Sequence, residues 1–259
     1  MRKLIVVTTV LFSSILALAA TTNKIKRTRP PRRPPSSFGG IVEKEYSGKV
    51  LRIFNTQKYL SHNKLATCVK DMRWKSLLPF EASLAALPKD ECLMKFATSL
   101  IGTNDTAAAV LIVEDEKYPI MLGAPEKRWT ILNISPLKVD NPSLNVFEKR
   151  FAKVLWIAVS RTLGAGYSSF KPCVMQPFTT VTELDNNPAV IPCPEPFNKM
   201  INTAKAYGID MIKIASYRAA CQEGWAPAPT NDIQKAIWDK VRATPKNPMK
   251  IEFDPKKGR

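Results

Sequence analysis

Short runs of β-branched and aliphatic residues alternate along the middle of the chain with segments whose apolar residues have helical spacing. The runs at 50–54 and 107–113 predict strands, and a weaker alternation at 130–134 predicts a third strand. Between the first two runs, residues 79–101 have helical spacing that a proline at 88 interrupts. Strands that alternate with helices predict an α/β (α+β) domain built on a mixed sheet.

The longest helical pattern starts after Asn141 and Pro142 and ends at Leu163. Gly164 follows it, and a glycine at this place ends a helix because it adopts a positive φ without strain. One face of the pattern is apolar and contains Phe147, Phe151, Val154, Leu155, Ala158 and Val159. Three further helices are predicted, at 196–207, 210–222 and 231–241.

The chain is strongly basic, because 39 Lys and Arg against 22 Asp and Glu give a net charge of +17. An excess of this size favours polyanionic ligands or anionic surfaces as partners. The chain has one histidine, His62, which excludes every zinc site that needs two or three imidazoles. His62 also lacks the glycines of a nucleophile elbow around it, so we predict an exposed loop histidine.

The first 20 residues have two early positive charges, an apolar run at 4–18 and small residues at 17, 19 and 20. This three-part pattern predicts a secretory signal peptide that is cleaved near Ala19 or Ala20. The alternative is an uncleaved N-terminal membrane anchor. With the signal peptide, the mature protein is predicted to be secreted or periplasmic.

Residues 21–47 predict a basic, proline-rich leader outside the core. Its first twenty residues carry six positive charges, no acid and four prolines at 30, 31, 34 and 35. Such a segment favours the extended polyproline conformation, so it is either a solvated linker or a tether to anionic lipid, glycan or nucleic acid. We predict a domain at 48–208 and a helical C-terminal extension with a basic tail at 209–259.

Gly164, Cys173, Met175 and Cys193 have a spacing that resembles one protein family. The archaemetzincins, a branch of the metzincin zinc proteases, carry HExxHxxGxxHC, four residues, CxM, seventeen residues and CxxC. With Gly164 at the motif glycine, every spacing is kept without a gap. The resemblance implies a metzincin-like mixed sheet, with the helix that ends at Leu163 lying beneath a cleft. An unrelated disulfide, a core methionine and an ordinary helix end are the alternative explanation of these residues.

The resemblance also implies that the catalytic chemistry is missing. The three zinc-ligand positions hold Ile157, Arg161 and Tyr167, and the general-base position holds Ala158. An isoleucine has no donor atom for zinc, and an arginine repels the cation. In this frame, Ile157 and Arg161 lie on the cleft side of the helix with Met175 in a turn below them.

Arg161 and Tyr167 are the binding candidates in that frame, because a guanidinium and a phenol suit a carboxylate or phosphate. The alternative for Arg161 is an ion pair with a nearby acid on the helix surface. We predict no bound metal and no cofactor.

The family's second, four-cysteine metal site is half missing in this sequence. Its positions hold Ser168, Cys173, Cys193 and Pro196. By the resemblance, Cys173 and Cys193 are expected to form a disulfide in an oxidising compartment, which would close a loop of about twenty residues. Pairing of the remaining cysteines stays open; these are Cys68, Cys92 and Cys221.

The sequence therefore predicts an exported pseudopeptidase that binds an unidentified protein or a polyanionic ligand, with no specific nucleic acid. Two alternatives remain open. One is a metallopeptidase-family hydrolase with an unrecognised active site. The other is a basic envelope protein that binds polyanions, or an envelope surface, through its leader.

Overall fold

The structure, a computed structural model, describes residues 39–56, 60–88 and 92–244. The predicted signal peptide, most of the predicted leader and the basic tail after residue 244 lie outside these ranges. Within them, no helix has the length and apolar character that crossing a membrane requires.

A five-stranded sheet forms the centre of the fold, with strand order β3-β2-β4-β6-β5. The first four strands in this order are parallel, and β5 runs antiparallel to β6. Two short strands, β1 and β7, form a separate antiparallel pair. The strands are β1 (Ile41–Glu43), β2 (Val50–Asn55), β3 (Phe80–Leu84), β4 (Thr106–Val113), β5 (Met121–Ala124), β6 (Trp129–Asn133) and β7 (Ile214–Ser216).

Helices cover both faces of the sheet. They are α1 (His62–Ser76), α2 (Leu93–Ser99), α3 (Leu144–Thr162), α4 (Val181–Asn186), α5 (Pro194–Ala206), α6 (Tyr217–Glu223) and α7 (Asp232–Ala243). Buried residues of α1, α3 and α5 share one apolar cluster with one face of the sheet. Residues of α2 pack on the opposite face. Every residue of β4 is buried, because this strand has helices on both sides.

The structure confirms the mixed α/β class and the mixed sheet. The predicted strands at 50–54, 107–113 and 130–134 correspond to β2, β4 and β6. The predicted helices at 141–163, 196–207 and 231–241 correspond to α3, α5 and α7.

Four parts of the prediction differ from the structure. Residues 79–88 are not helical, because pairing with β2 makes 80–84 a strand. In the predicted helix at 210–222, residues 214–216 are extended as β7, and α6 follows. His62 is the first residue of α1 and does not lie in a loop. Residues 41–43, inside the predicted leader, pair with β7.

The C-terminal extension packs around the start of the described chain. Tyr217 is fully buried, and its hydroxyl donates to the Pro227 carbonyl at 3.0 Å. The Gln234 side chain donates from Nε2 to the carbonyl of Gly39 at 2.8 Å. Ile212 N–H donates to the Leu77 carbonyl at 2.7 Å, which fixes this unit to the end of α1.

Candidate functional site

Helix α3 has well-defined ends, and it positions most of the predicted site. The Ser143 hydroxyl caps its N-terminus by accepting from Val146 N–H at 3.5 Å. At the other end, Gly164 has φ +75° and donates its N–H to the Arg161 carbonyl at 2.9 Å. Ala165 N–H donates to the Ser160 carbonyl at 2.9 Å. The chain therefore turns sharply after Arg161, as the glycine predicts.

Ile157 and Ala158 belong to the core. Both side chains are 0% exposed, and both lie in the apolar cluster between α3 and the sheet. The expected position of Ile157 on the side of an open cleft is therefore wrong: without a metal to hold, an aliphatic side chain gains more from burial. Neither residue offers a donor atom, and Arg161 is a cation, so the residues at these positions do not fit zinc.

Arg161 and Tyr167 lie together at the exposed end of α3. Arg161 Nη1 donates to the Tyr167 hydroxyl at 2.9 Å, and the guanidinium carbon lies 5.1 Å from the centroid of the Tyr167 ring. The Tyr167 side chain is 50% exposed. Arg161 forms no ion pair with any carboxylate of the described residues. A surface ion pair is thus not its role in this structure.

Met175 lies in a turn. Gln176 N–H donates to the Cys173 carbonyl at 3.2 Å, which closes the turn, and Ser168 N–H donates to the Met175 carbonyl at 2.9 Å. Met175 is fully buried in the same apolar cluster as Ile157. The turn thus joins the segment that follows α3 to the core beneath the helix.

Cys173 and Cys193 lie in contact as free thiols. Cys193 N–H donates to Cys173 Sγ at 3.1 Å, and Cys193 Sγ lies 3.4 Å from the Ser168 hydroxyl oxygen. Burial raises the pKa of the Cys193 thiol, and its contact with Cys173 raises the pKa further. The Cys193 thiol is therefore protonated at neutral pH, and the predicted disulfide between Cys173 and Cys193 stays a prediction.

The other residues of the second metal site provide no further thiol. Pro196 is buried in the first turn of α5 and has no ligand atom. Cys68, Cys92 and Cys221 are also free thiols in the structure. The described residues contain no group of three or more His, Cys, Asp or Glu side chains that could hold a metal ion.

Two basic residues of α3, which sequence reasoning missed, fix α4 in place. The buried Arg150 binds Asp185 with Nε at 2.9 Å and Nη2 at 2.6 Å, and its Nη1 donates to the Leu137 carbonyl at 3.0 Å. Lys153 Nζ donates to the carbonyls of Leu184 at 2.8 Å and Asn187 at 2.6 Å. The sequence could have indicated this role, because both residues lie beside the apolar face of α3, where a cation needs buried partners.

These anchors shift the pKa values of the groups involved. The bond from Arg150 lowers the pKa of the Asp185 carboxyl. Burial lowers the pKa of Lys153, although the nearby Asp185 charge acts in the opposite direction. Asn187 extends the network, because its Nδ2 donates to the Cys173 carbonyl at 2.8 Å. Helix α4 and the Met175 turn are therefore held by the same polar contacts.

A groove of about 940 Å³ opens beside this network, and Ser168 is the first residue in the chain that lines it. We call it the 168–188 groove. Its polar lining includes Lys171, Gln176 and Asn186, and Phe178 with three prolines supplies apolar surface. One wall, α4, has a capping box in which the Thr180 hydroxyl accepts from Glu183 N–H at 3.2 Å. Sequence reasoning missed this six-residue helix.

Comparison with solved structures finds two whose folds are similar to that of this chain. One is the crystal structure of archaemetzincin from Methanopyrus kandleri, with a TM-score of 0.47 and 15% identity, covering 61% of this chain and 96% of that one. The other is a zinc-dependent peptidase from Methanocorpusculum labreanum, with a TM-score of 0.47 and 11% identity, covering 58% and 99%. No protein-family model matches the chain, and no curated protein matches it.

Proposed function

We propose that this chain is an exported binding protein, a pseudopeptidase built on an archaemetzincin-like scaffold without catalytic zinc. The resemblance in spacing places Ile157, Ala158 and Arg161 where the family has two ligands and its general base. The burial of Ile157 and Ala158 supports the proposal, because these positions serve packing instead of metal binding. Proteolysis that depends on zinc has no ligand set at this place.

The observation that carries the binding role is the arrangement of Arg161 and Tyr167. The guanidinium donates to the Tyr167 hydroxyl and pairs with no described carboxylate, and Tyr167 directly precedes Ser168, the first residue that lines the 168–188 groove. A guanidinium of this kind binds a carboxylate or phosphate through two parallel hydrogen bonds, and the Tyr167 hydroxyl can donate a third. The groove would then hold the apolar or amide part of the same ligand.

The experiment compares two probes and two variants on the full chain. Calorimetric titrations use inorganic phosphate, and a short peptide whose C-terminal carboxylate is either free or amidated. Arg161→Ala is expected to abolish binding of phosphate or of the free-carboxylate peptide. Arg128→Ala is the matched control, since Arg128 also lies over a tyrosine ring, 4.5 Å from the centroid of Tyr207. Equal weakening by both variants would instead indicate a general charge effect and contradict the site.

A second candidate function, polyanion binding through the leader, is favoured by the net charge of +17 and by six positive charges without an acid in residues 21–40. Such binding weakens steeply as salt rises, because the Debye length is only about 8 Å at physiological ionic strength. Deleting residues 21–36 separates the two functions. Loss of heparin binding in the deletion assigns the polyanion site to the leader, and loss in Arg161→Ala assigns it to the end of α3.

A further inference from the structure

Strand β3 forms one edge of the five-stranded sheet and pairs only with β2 among the described residues. Ala85 N–H, just after the strand, donates to the Asn55 carbonyl at 3.0 Å. In a parallel ladder every second residue bonds to the neighbouring strand, so the backbone groups of Ala82 and Leu84 point away from β2. An edge of this kind is a template for the backbone of another strand.

A groove lies directly beside this edge. It has a volume of about 510 Å³, and we call it the α1–β3 groove. One stripe of α1 forms its wall, and this stripe consists of His62, Ala66, Val69, Lys70, Arg73 and Trp74. Phe80 and Ala82 of β3 form the opposite side. A second cavity shares His62 and is lined by Leu84 and Ala85, so there is a depression beside each end of the strand.

The shape of the groove suits an extended chain. The ion pair between Arg73 and Glu43 lies at the end where β3 begins. Trp74 is 54% exposed on the groove wall, and Leu84 is 67% exposed at the other end of the strand. Five strand residues span about 17 Å, which is enough for a segment of five or six residues to pair along the edge. Backbone groups that have no partner strand among the described residues thus lie beside exposed apolar side chains along this edge.

The charged side chains around the α1–β3 groove indicate which kind of ligand it binds. Glu43 is paired with Arg73, and Glu81 is paired with Arg52 at 2.7 Å. Lys70 forms no ion pair with the described residues, so it is the uncompensated charge on the groove wall. The chain as a whole carries +17, which repels a second copy and attracts an acidic segment.

We propose that the α1–β3 groove binds an extended, acidic peptide segment of a partner protein, which adds to the sheet as a sixth strand beside β3. Its backbone pairs with Ala82 and Leu84, alternate apolar side chains lie against Trp74 and Val69, and an acidic side chain contacts Lys70. This mode of recognition takes affinity from main-chain hydrogen bonds and specificity from the alternate side chains. The surface lies at the opposite edge of the sheet from β5 and is separate from Arg161.

The test uses the full chain and the heptapeptide Ser-Val-Ser-Glu-Ser-Val-Ser, in which both Val and the Glu share one face of a strand, acetylated and amidated at its ends. The capped ends remove the free carboxylate that Arg161 would bind, so the two proposals are tested separately. A second peptide of the same sequence has all internal amides methylated, which keeps the charges but removes strand pairing. Fluorescence anisotropy is expected to show saturable binding of the first peptide and none of the second.

Two variants probe the two parts of the contact. Ala82→Pro removes one outward-facing N–H while the bonds to β2 remain, and an edge strand accommodates proline at such a position. It is expected to weaken binding about fivefold, the value of one hydrogen bond. Lys70→Glu is expected to weaken binding by a similar factor of about five. The matched control is Lys95→Glu on α2, an exposed lysine on the other face of the sheet, with a change of less than about twofold.

Three results would overturn the proposal. Equal binding of the methylated peptide would show that strand pairing plays no part. Equal weakening by Lys95→Glu and Lys70→Glu would show that the net charge alone attracts the peptide. A dimer in sedimentation experiments that Ala82→Pro dissociates would identify a second copy of the chain as the occupant.

Discussion

The middle of helix α3 and its C-terminal end differ in the partners of their positive charges. In the middle of the helix, Arg150 and Lys153 are buried, and their hydrogen bonds go to α4, to the residue that follows α4 and to two backbone carbonyls that precede α3. At the C-terminal end, Arg161 is partly exposed and contacts only a tyrosine among the described residues. Arg150 and Lys153 thus have all their partners within the protein, whereas Arg161 has a charge that a ligand can pair with.

This difference separates structural cations from binding cations within one helix. A buried cation requires compensation, since leaving it unpaired costs several kcal/mol. An exposed arginine needs no such compensation, so its position against Tyr167 leaves it free to change partner. A positive charge alone therefore does not identify a binding site. The partners that the cation already has within the protein decide whether it can bind a ligand.

The largest effect is expected from oxidation of the cysteines at the Met175 turn, which Asn187 joins to Lys153. A disulfide between Cys173 and Cys193 would close a loop of about twenty residues and raise the free energy of unfolding by about 3 kcal/mol. The measurement compares urea unfolding of oxidised and reduced protein, with Cys173→Ser as the control. Mass spectrometry that finds both residues alkylated without prior reduction would contradict the pairing.

Breaking the ion pair between Arg150 and Asp185 is expected to have the next largest effect. Asp185→Ala leaves the buried Arg150 with carbonyl partners only, and we expect a loss of about 2 kcal/mol in the free energy of unfolding, less than for a fully buried pair. Chemical denaturation measures it. Asp71→Ala is a matched control, because Asp71 makes an exposed pair with Lys75. An equal effect of both variants would remove the distinction between the two kinds of charge.

The same anchor predicts how stability depends on pH. Arg150 lowers the pKa of Asp185 in the folded state, so the stabilisation is fully present above the unfolded value of about 3.9 and is lost as the pH falls through the lowered folded pKa. Asp185→Asn is expected to flatten the acid side of the stability curve below pH 4. An unchanged slope in this variant would show that the pair is not maintained in solution.

Arg161→Ala is expected to have the smallest effect on stability, within about 0.5 kcal/mol of the unchanged protein. The guanidinium has one neutral partner, so little is lost when it is removed. Thermal unfolding measures the change beside the binding titrations described above. A loss comparable to that of Asp185→Ala would make Arg161 a structural residue and remove the contrast between the middle of α3 and its C-terminal end.

The sequence predicted the elements whose patterns are long or strongly apolar. Strand β4 is a continuous aliphatic run, and α3 has an apolar face over five turns that ends at a glycine. Strand β3 was missed because its five residues carry a helical spacing that pairing with β2 overrides. The three-residue strands β1 and β7 are too short to give a pattern of their own.

The site could be predicted only in part, for a similar reason. The motif spacing led to Arg161, Tyr167 and the Cys173–Cys193 contact, because the turn at Gly164 can be recognised in sequence. It did not indicate that Ile157 is fully buried, since burial depends on how α3 packs against the sheet. Nor did it reveal the contacts of Arg150 and Lys153, whose partners lie about 31 to 35 residues further along the chain.

The proposal that this chain is a pseudopeptidase requires that it binds no catalytic zinc. Metal analysis of the purified full chain tests it most directly, by elemental mass spectrometry before and after dialysis against a chelator. The account predicts no stoichiometric zinc and an unchanged unfolding curve after chelation. One zinc per chain, removed by the chelator together with a peptidase activity, would contradict it.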